Sequence, residues 1–65
     1  MLDARQLEAL AAVLEHGGFG SAAAALNLTL SAVSLRIKAL EARLGQRVLV
    51  RGKVVRATPA GQSLL

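Results

Sequence analysis

Hydroxyl and basic side chains that could bind an anion are concentrated between Thr29 and Lys38. If this stretch is helical, each residue turns it by about 100°, so Ser31, Ser34 and Lys38 point away from the apolar residues. Backbone N–H groups at the start of a helix favour negative charge, and short hydroxyls there can add hydrogen bonds. Side chains of these types in this pattern could bind an anion, and the rest of the chain decides which.

The apolar residues of the same stretch predict the helix that positions this surface. They recur at helical spacing on one narrow arc, and they are Val33, Ile37, Leu40 and Leu44. Thr29 is suited to cap the first turn through its hydroxyl, and Gly45 is suited to end the helix because it tolerates positive φ. The sequence thus predicts a helix over residues 30–44 with one buried face and one free face.

Composition limits the class of protein. The chain has 65 residues, 54% of them hydrophobic, with one Phe and neither Trp nor Tyr, so one small domain with a core of Leu, Val, Ile and Ala is expected. The absence of cysteine excludes disulfides and Cys-ligated zinc, and we expect no cofactor or metal in this domain. Asp3 and Glu8 argue against a signal peptide, and no uncharged run is long enough for a membrane span, so a cytoplasmic protein without membrane contact is expected.

Charge is distributed unevenly along the chain. Up to residue 33, Arg5 stands against Asp3, Glu8 and Glu15, which gives a net charge of 1 − 3 = −2. From residue 34 onward, seven basic residues stand against Glu41, which gives 7 − 1 = +6. A segment this basic attracts polyanions. The alternative interpretation is a solvated basic face that only promotes solubility.

A first helix is predicted from Asp3, which would form a capping box with Gln6, to His16, which precedes two glycines. Its apolar residues at helical spacing are Leu7, Leu10, Ala11 and Leu14. His16 has no Cys, His or acidic cluster beside it, so we interpret it as a helix-end residue rather than a metal ligand or a catalytic base.

A second helix is predicted over Phe19–Leu26, with Phe19 wedged into the core. The segment Asn27-Leu28-Thr29 predicts a tight turn, because Asn tolerates left-handed backbone geometry and Leu28 can return to the core. Two helices joined by so short a turn form a helix-turn-helix. The helix over residues 30–44 occupies its recognition position.

A β-hairpin is predicted after this helix. Residues 48–51 and 54–56 are rich in β-branched side chains, and Gly52-Lys53 lies between them as a turn signal. The hairpin is interpreted as a wing over residues 48–57. Its basic residues are Arg51, Lys53 and Arg56.

One further helix start is predicted at Thr58, as the cap, and Pro59, at the first helical position. The expected fold class is mainly α: a winged helix-turn-helix with three helices, a two-stranded wing and the start of a linker helix. Residues 1–58 would form the winged domain and residues 59–65 the beginning of a linker or dimerisation helix.

Several motifs, in this order and spacing, resemble the N-terminal DNA-binding domain of LysR-type bacterial transcriptional regulators. They cover the chain and include AA-x-x-L before the turn, Thr29-x-Ser31-Ala32-Val33-Ser34, Ile37-x-x-Leu40-Glu41-x-x-Leu44-Gly45 and Thr58-x-Ala60-Gly61. The resemblance implies sequence-specific binding of double-stranded DNA. The helix over residues 30–44 would lie in the major groove, and the wing would lie on the backbone or in the minor groove.

The resemblance also implies a longer protein that contains this domain. A linker helix would pair two subunits as a homodimer, and an effector-binding domain would follow. Leu49-Val50-Arg51 and the short wing resemble the branch of the family that governs export of lysine and arginine. The small-molecule effector expected in that further domain is therefore a basic amino acid.

Within this resemblance, residues are expected to divide into those that position the DNA and those that read bases. Ser31 and Ser34 would bind phosphate, and Thr29 would add a contact besides its cap. Arg36 is the candidate base reader, because its planar fork can engage guanine O6 and N7 together, with an ordinary solvated arginine as the alternative. Lys38 lies further along the free face. The wing residues that would follow the backbone or the minor groove are Arg51, Lys53 and Arg56.

Two leucines depart from the family pattern. Leu30 stands where Gln is frequent and is expected to lie near the buried face and pack. Leu35 stands where Arg or Gln is frequent, near the centre of the free face, and we hypothesise that it contacts a thymine methyl. The alternative is an exposed leucine without significance. Glu41 is expected to pair within the fold, with Arg43 or with the wing.

Two other functions remain open, a winged-helix protein-interaction module and a nonspecific DNA binder. They differ from the leading hypothesis in partner and in sequence preference. Enzyme activity is not expected, because the four acids and one His are scattered without a nucleophile near a base.

Overall fold

The computed structural model describes residues 3–65. The described chain forms helices packed beside a two-stranded antiparallel sheet. The elements in chain order are α1 (Ala4–His16), α2 (Phe19–Leu26), α3 (Leu30–Leu44), β1 (Leu49–Val50), β2 (Arg56–Ala57) and α4 (Pro59–Leu64). The predicted mainly α fold, a winged helix-turn-helix, is confirmed.

The first three helices pack around one apolar core. Its buried residues are Ala9, Leu10, Ala12, Val13, Ala22, Ala23, Val33, Ile37, Leu40, Val48 and Leu49. The prediction that Ala11 lies on the buried face of α1 is wrong, because Ala9 and Val13 face the core and Ala11 points to the opposite side. Phe19 is half-buried and packs at the edge of the core. Over residues 3–65, no single helix is long and apolar enough to cross a membrane, and α1 and α2 reach that length only when counted together across a 120° bend.

The turns that connect the helices use the residues expected from the sequence. Gly17, after α1, has φ +78° and donates its N–H to the Val13 carbonyl at 2.9 Å. Asn27, after α2, has φ +57°, a conformation that Asn tolerates better than most residues. Leu28 then donates its N–H to the Ala23 carbonyl at 2.8 Å and packs against the core. The helix-turn-helix geometry is therefore specified locally.

The start of α1 differs from the predicted capping box. Asp3 Oδ1 accepts a hydrogen bond from the backbone N–H of Arg5 at 2.8 Å, whereas Gln6 makes no side-chain bond to Asp3. The Gln6 Oε1 atom is buried and has no partner among the described residues. The Asp3 carboxylate is directed toward Arg5 because their side chains also form an ion pair at 3.1 Å.

The wing also differs from its predicted form. β1 and β2 pair with Leu49 opposite Ala57 and Val50 opposite Arg56, so the connection comprises residues 51–55. A two-residue turn at Gly52-Lys53 would have placed Leu49 opposite Arg56, one residue out of this register. The two-residue turn and the strand over residues 54–56 are therefore wrong.

Hydrogen bonds from Thr58 explain the observed register. The Thr58 N–H donates to the Val48 carbonyl at 3.0 Å, and the Thr58 hydroxyl donates to the Arg47 carbonyl at 2.6 Å. These bonds fix residue 58 beside residue 48, one step beyond the Leu49 and Ala57 pair. Because successive side chains of a strand alternate between faces, this register keeps Leu49 buried and Val50 exposed.

Candidate nucleic-acid interface

The recognition-position helix α3 is fixed at both ends and along one face. Thr29 Oγ1 accepts the backbone N–H of Ala32 at 3.0 Å, and Gly45 ends the helix with φ +68°. The predicted buried face is confirmed, with Leu44 half-buried against the core at the last turn. The rigid attachment leaves the opposite face of α3 open to a partner.

The predicted site residues of α3 occupy that open face and its flanks. Thr29, Ser31, Leu35 and Lys38 are exposed, and Leu35 reaches 65% exposure. Ser34 and Arg36 are half-buried on the two sides of the face. The structure therefore brings the hydroxyl and basic side chains of α3 together around one exposed leucine.

Leu30 does not lie where the sequence predicted. It was expected to pack near the buried face, but it is 56% exposed. The buried part of α3 begins only at Val33, so the first turn extends beyond its packing partners. Leu30 is thus a second exposed apolar side chain at the N-terminal end of α3.

Arg36 lies close enough to the start of α1 to affect its electrostatics. Hydrogen bonds from Arg5 are the main reason that the pKa of the Asp3 carboxyl lies below its ordinary value of 3.8, and the charge of Arg36 adds a smaller contribution in the same direction. The pKa of Arg5 is correspondingly raised by its hydrogen bond to Asp3. The charge of Arg36, on the flank of α3, thus acts on the first turn of α1.

The wing carries the other predicted cations. Lys53 lies in the loop over residues 51–55, Arg56 lies in β2 opposite Val50, and both are exposed. Arg51 is also exposed, but its guanidinium carbon stacks 4.3 Å from the centroid of the Phe19 ring. The loop is therefore fastened to the first residue of α2, a contact that sequence reasoning missed.

Residues 4–62 match the family of bacterial regulatory helix-turn-helix proteins of the lysR type. The chain belongs to the LysR family. It is 58% identical over 64 residues to the HTH-type transcriptional regulator LysG of Mycobacterium tuberculosis, a match that covers 98% of this chain and 21% of LysG. It is 57% identical over 65 residues to ArgP of Pseudomonas aeruginosa, which covers 100% of this chain and 22% of ArgP. The chain therefore spans about a fifth of the length of these relatives, whose names agree with the predicted branch.

Solved structures share the fold of this LysR-family domain. ArgP of M. tuberculosis superposes with a TM-score of 0.93 at 56% identity, over 98% of this chain and 22% of ArgP. The DNA-binding domain of BenM, solved with catB site 1 DNA, gives a TM-score of 0.88 at 35% identity, over 95% of this chain and 70% of that one. LysG of Corynebacterium glutamicum, solved with bound effector arginine, superposes with a TM-score of 0.91 at 39% identity. The match covers 95% of this chain and 21% of LysG.

The LysR-type motif around Glu41 has a structural explanation in this chain. Glu41 Oε2 accepts the backbone N–H of Val48 at 2.9 Å, and Val48 itself is fully buried. The expectation that Glu41 pairs within the fold is confirmed at the entry to the wing, whereas the alternative pairing with Arg43 is not formed. Glu41 therefore couples α3 to the wing.

Contacts with residues 47 and 48, at the entry to the wing, also explain the motif Thr58-x-Ala60-Gly61. Besides its bonds to residues 47 and 48, the Thr58 hydroxyl caps α4 by accepting the N–H of Gly61 at 3.1 Å. A β-carbon on Gly61 would collide with the Val48 carbonyl oxygen, so only glycine fits against that backbone. The motif was recognised from the sequence, but its role in seating the wing emerged only from these contacts.

Within residues 3–65, no three or more His, Cys, Asp or Glu side chains are grouped as a metal site. The depressions on this part of the surface are shallow. One, of about 370 Å³, is lined by Arg47, Leu49, Val50, Arg51 and Thr58.

Proposed function

We propose that this domain binds double-stranded DNA sequence-specifically, as the DNA-binding part of a LysR-type transcriptional regulator. α3 enters the major groove, and the wing lies along the backbone or in the adjacent minor groove. The observation that carries the proposal is the free face of α3, which is rigidly held, flanked by cations and oriented after a tight turn. The DNA-binding domain of BenM, which was solved in complex with DNA, superposes on this chain with a TM-score of 0.88.

The hydroxyl residues of α3 are proposed to position the helix on the phosphate backbone. Ser31 and Ser34 lie in its first turns, where backbone N–H groups and the helix dipole favour an anion. The Thr29 hydroxyl is already an acceptor for Ala32, and its own hydrogen is free to donate to a phosphate oxygen. These contacts set register and carry little sequence information.

The cations are proposed to divide between reading and steering. Arg36, on the flank of the free face, reaches a guanine edge with its planar fork, and Lys38 supplies charge two residues further along, on the other side of Leu35. In the wing, Lys53 and Arg56 contact phosphate or enter the minor groove. Arg51 adds its charge while stacked on Phe19, because the residue as a whole remains exposed.

We further propose that the complete protein acts as a cytoplasmic homodimer and not as an enzyme. Residues 59–65, which include α4, would begin the linker helix that joins two subunits, each contributing the domain formed by residues 1–58. An effector, a basic amino acid, would bind in a domain beyond this chain. The C. glutamicum LysG structure with bound arginine and the relatives named ArgP support that effector class.

A binding-site selection from random duplexes with the 65-residue domain tests the DNA proposal. Sequence-specific binding enriches one motif, and a dimer enriches two inverted copies one or two helical turns apart. A flat enrichment with salt-dependent affinity would indicate a nonspecific binder instead. Absence of duplex binding at moderate salt would leave the protein-interaction module as the better function.

A further inference from the structure

The exposed centre of α3 is apolar although its surroundings are basic. Leu35 is 65% exposed and lies almost opposite the buried Val33, Ile37 and Leu40. The other exposed residues of this face are Ser31, Lys38, Ala39 and Ala42. The small serine and alanines leave Leu35 as the protruding side chain at the middle of the face.

The hydrogen-bonding groups of α3 are unsuited to reading adenine or cytosine. α3 contains no Asn, Gln or Asp, and its single acid, Glu41, is directed to the wing, where its Oε2 atom accepts the Val48 N–H at 2.9 Å. Adenine is read in the major groove mainly by Asn or Gln, and the cytosine amino group by a carboxylate. Apart from the serine hydroxyls, the exposed side of α3 therefore offers donors only, through Arg36, Lys38 and Arg43.

We propose that Leu35 reads the C5-methyl group of a pyrimidine in the major groove. The methyl is the feature of thymine that an apolar side chain contacts there. Because the contact is to the methyl and not to a hydrogen-bonding group, 5-methylcytosine replaces thymine at the same position. The domain thereby distinguishes methylated from unmethylated cytosine within its half-site.

Charge identifies DNA as the occupant of this apolar face. Arg36 and Lys38 lie on either side of Leu35, and residues 34–65 carry seven cations against Glu41. A polyanion is therefore drawn to the surface on which Leu35 protrudes. The inference rests on the proposed function and adds that the C5-methyl group of a pyrimidine is the feature that Leu35 contacts.

Removal of single methyl groups from the DNA tests the contact without altering the protein. In a duplex obtained from the binding-site selection, each thymine is replaced in turn by deoxyuridine, which removes the methyl and keeps every hydrogen-bonding group. The wild-type domain is expected to lose affinity about fourfold at one thymine of each half-site, the effect of burying one methyl group. The domain should bind weakly to a duplex with cytosine at that position, and 5-methylcytosine there should increase the affinity about fourfold.

Two variants show which side chain makes the contact. Leu35→Ala should bind thymine and deoxyuridine equally at the sensitive position, and its melting temperature should be retained because Leu35 is exposed. Lys38→Ala is the matched control from the same face. It should bind more weakly to all duplexes and keep the preference for thymine.

The outcomes separate the two proposals. If the wild-type domain binds its selected duplex but no thymine is sensitive, or if Leu35→Ala keeps the deoxyuridine penalty, the methyl contact is wrong and DNA binding stands. If no duplex is selected by the wild-type domain, both proposals are overturned.

Discussion

The guanidinium carbon of Arg51 lies 4.3 Å from the centroid of the Phe19 ring, so the wing is attached to the first residue of α2. Arg51 is the first residue of the loop over residues 51–55, which contains Lys53 and carries no strand pairing. The stacked arginine therefore limits the positions that the loop can take relative to the helix-turn-helix. It links the two parts of the proposed DNA surface.

The contribution of this contact to the stability of the domain is measurable with a double-mutant cycle. Arg51→Ala and Phe19→Leu are combined, the leucine preserving an apolar residue at the edge of the core. An exposed cation–π pair predicts a coupling free energy of about 0.5–1 kcal/mol in chemical denaturation. Strictly additive effects of the two substitutions would show that the stacking contributes nothing in solution.

Gly61 is predicted to be the glycine least tolerant of substitution. A β-carbon there would collide with the Val48 carbonyl oxygen and lie 3.1 Å from its carbonyl carbon. Gly61→Ala should therefore destabilise the domain by about 1–3 kcal/mol, the usual range for overpacking, because a backbone neighbour cannot turn aside. Gly20→Ala in α2 is the matched control, since a β-carbon there meets nothing within 4 Å.

The control variant Gly20→Ala should increase the stability of the domain, whereas Gly61→Ala decreases it. Alanine at residue 20 reduces the freedom of the unfolded chain and should stabilise by about 0.4–1 kcal/mol. Thermal or urea unfolding of the two variants distinguishes the effects. Equal behaviour of Gly61→Ala and Gly20→Ala would contradict the close approach of α4 to residue 48.

Glu41→Ala should destabilise the wing more than its partial exposure suggests. It removes the acceptor for the Val48 N–H and leaves this donor unpaired in a fully buried residue. The cost of a buried unsatisfied group is about 1–3 kcal/mol. Glu41→Gln keeps an acceptor oxygen and should recover most of this loss in urea unfolding. Equal losses for both variants would mean that the charge, and not the hydrogen bond, matters.

Local signals explain why α3 was predictable and the register of the wing was not. The cap at Thr29 and the end at Gly45 depend on neighbouring backbone atoms, so a hydroxyl and a glycine at the right spacing suffice to predict them. The wing register instead depends on Thr58, whose partners are ten and eleven residues away. No turn signal at residues 52–53 contains that information.

The candidate site was predictable in composition but not in detail. A helical wheel places Leu35 on the free face, as observed, but it assumes that packing partners accompany the helix along its whole length. That assumption fails for Leu30 in the first turn. The stacking of Arg51 on Phe19 joins residues 32 positions apart in sequence and has no local pattern.

The cap at Asp3 predicts a pH dependence of stability. The pKa of its carboxyl is lowered in the folded domain, mainly by hydrogen bonds from Arg5, so the carboxylate stabilises the folded state above the ordinary value of 3.8. This contribution disappears as the pH falls through the folded pKa. Asn can also cap a helix, so Asp3→Asn should lower the melting temperature at pH 7 and match the wild type near the acid limit. A constant difference at every pH would contradict the charge effect.

Lys53 is predicted to contribute charge without sequence preference. It is exposed in the wing loop, where its ammonium group can reach phosphate and displace a condensed cation. Lys53→Ala should weaken binding about equally for all half-site variants and reduce the slope of log Kobs against log salt by about one unit. Lys53→Arg keeps the charge and should retain the wild-type slope. A loss of affinity confined to one base position would instead make Lys53 a base reader and place the wing deeper in a groove.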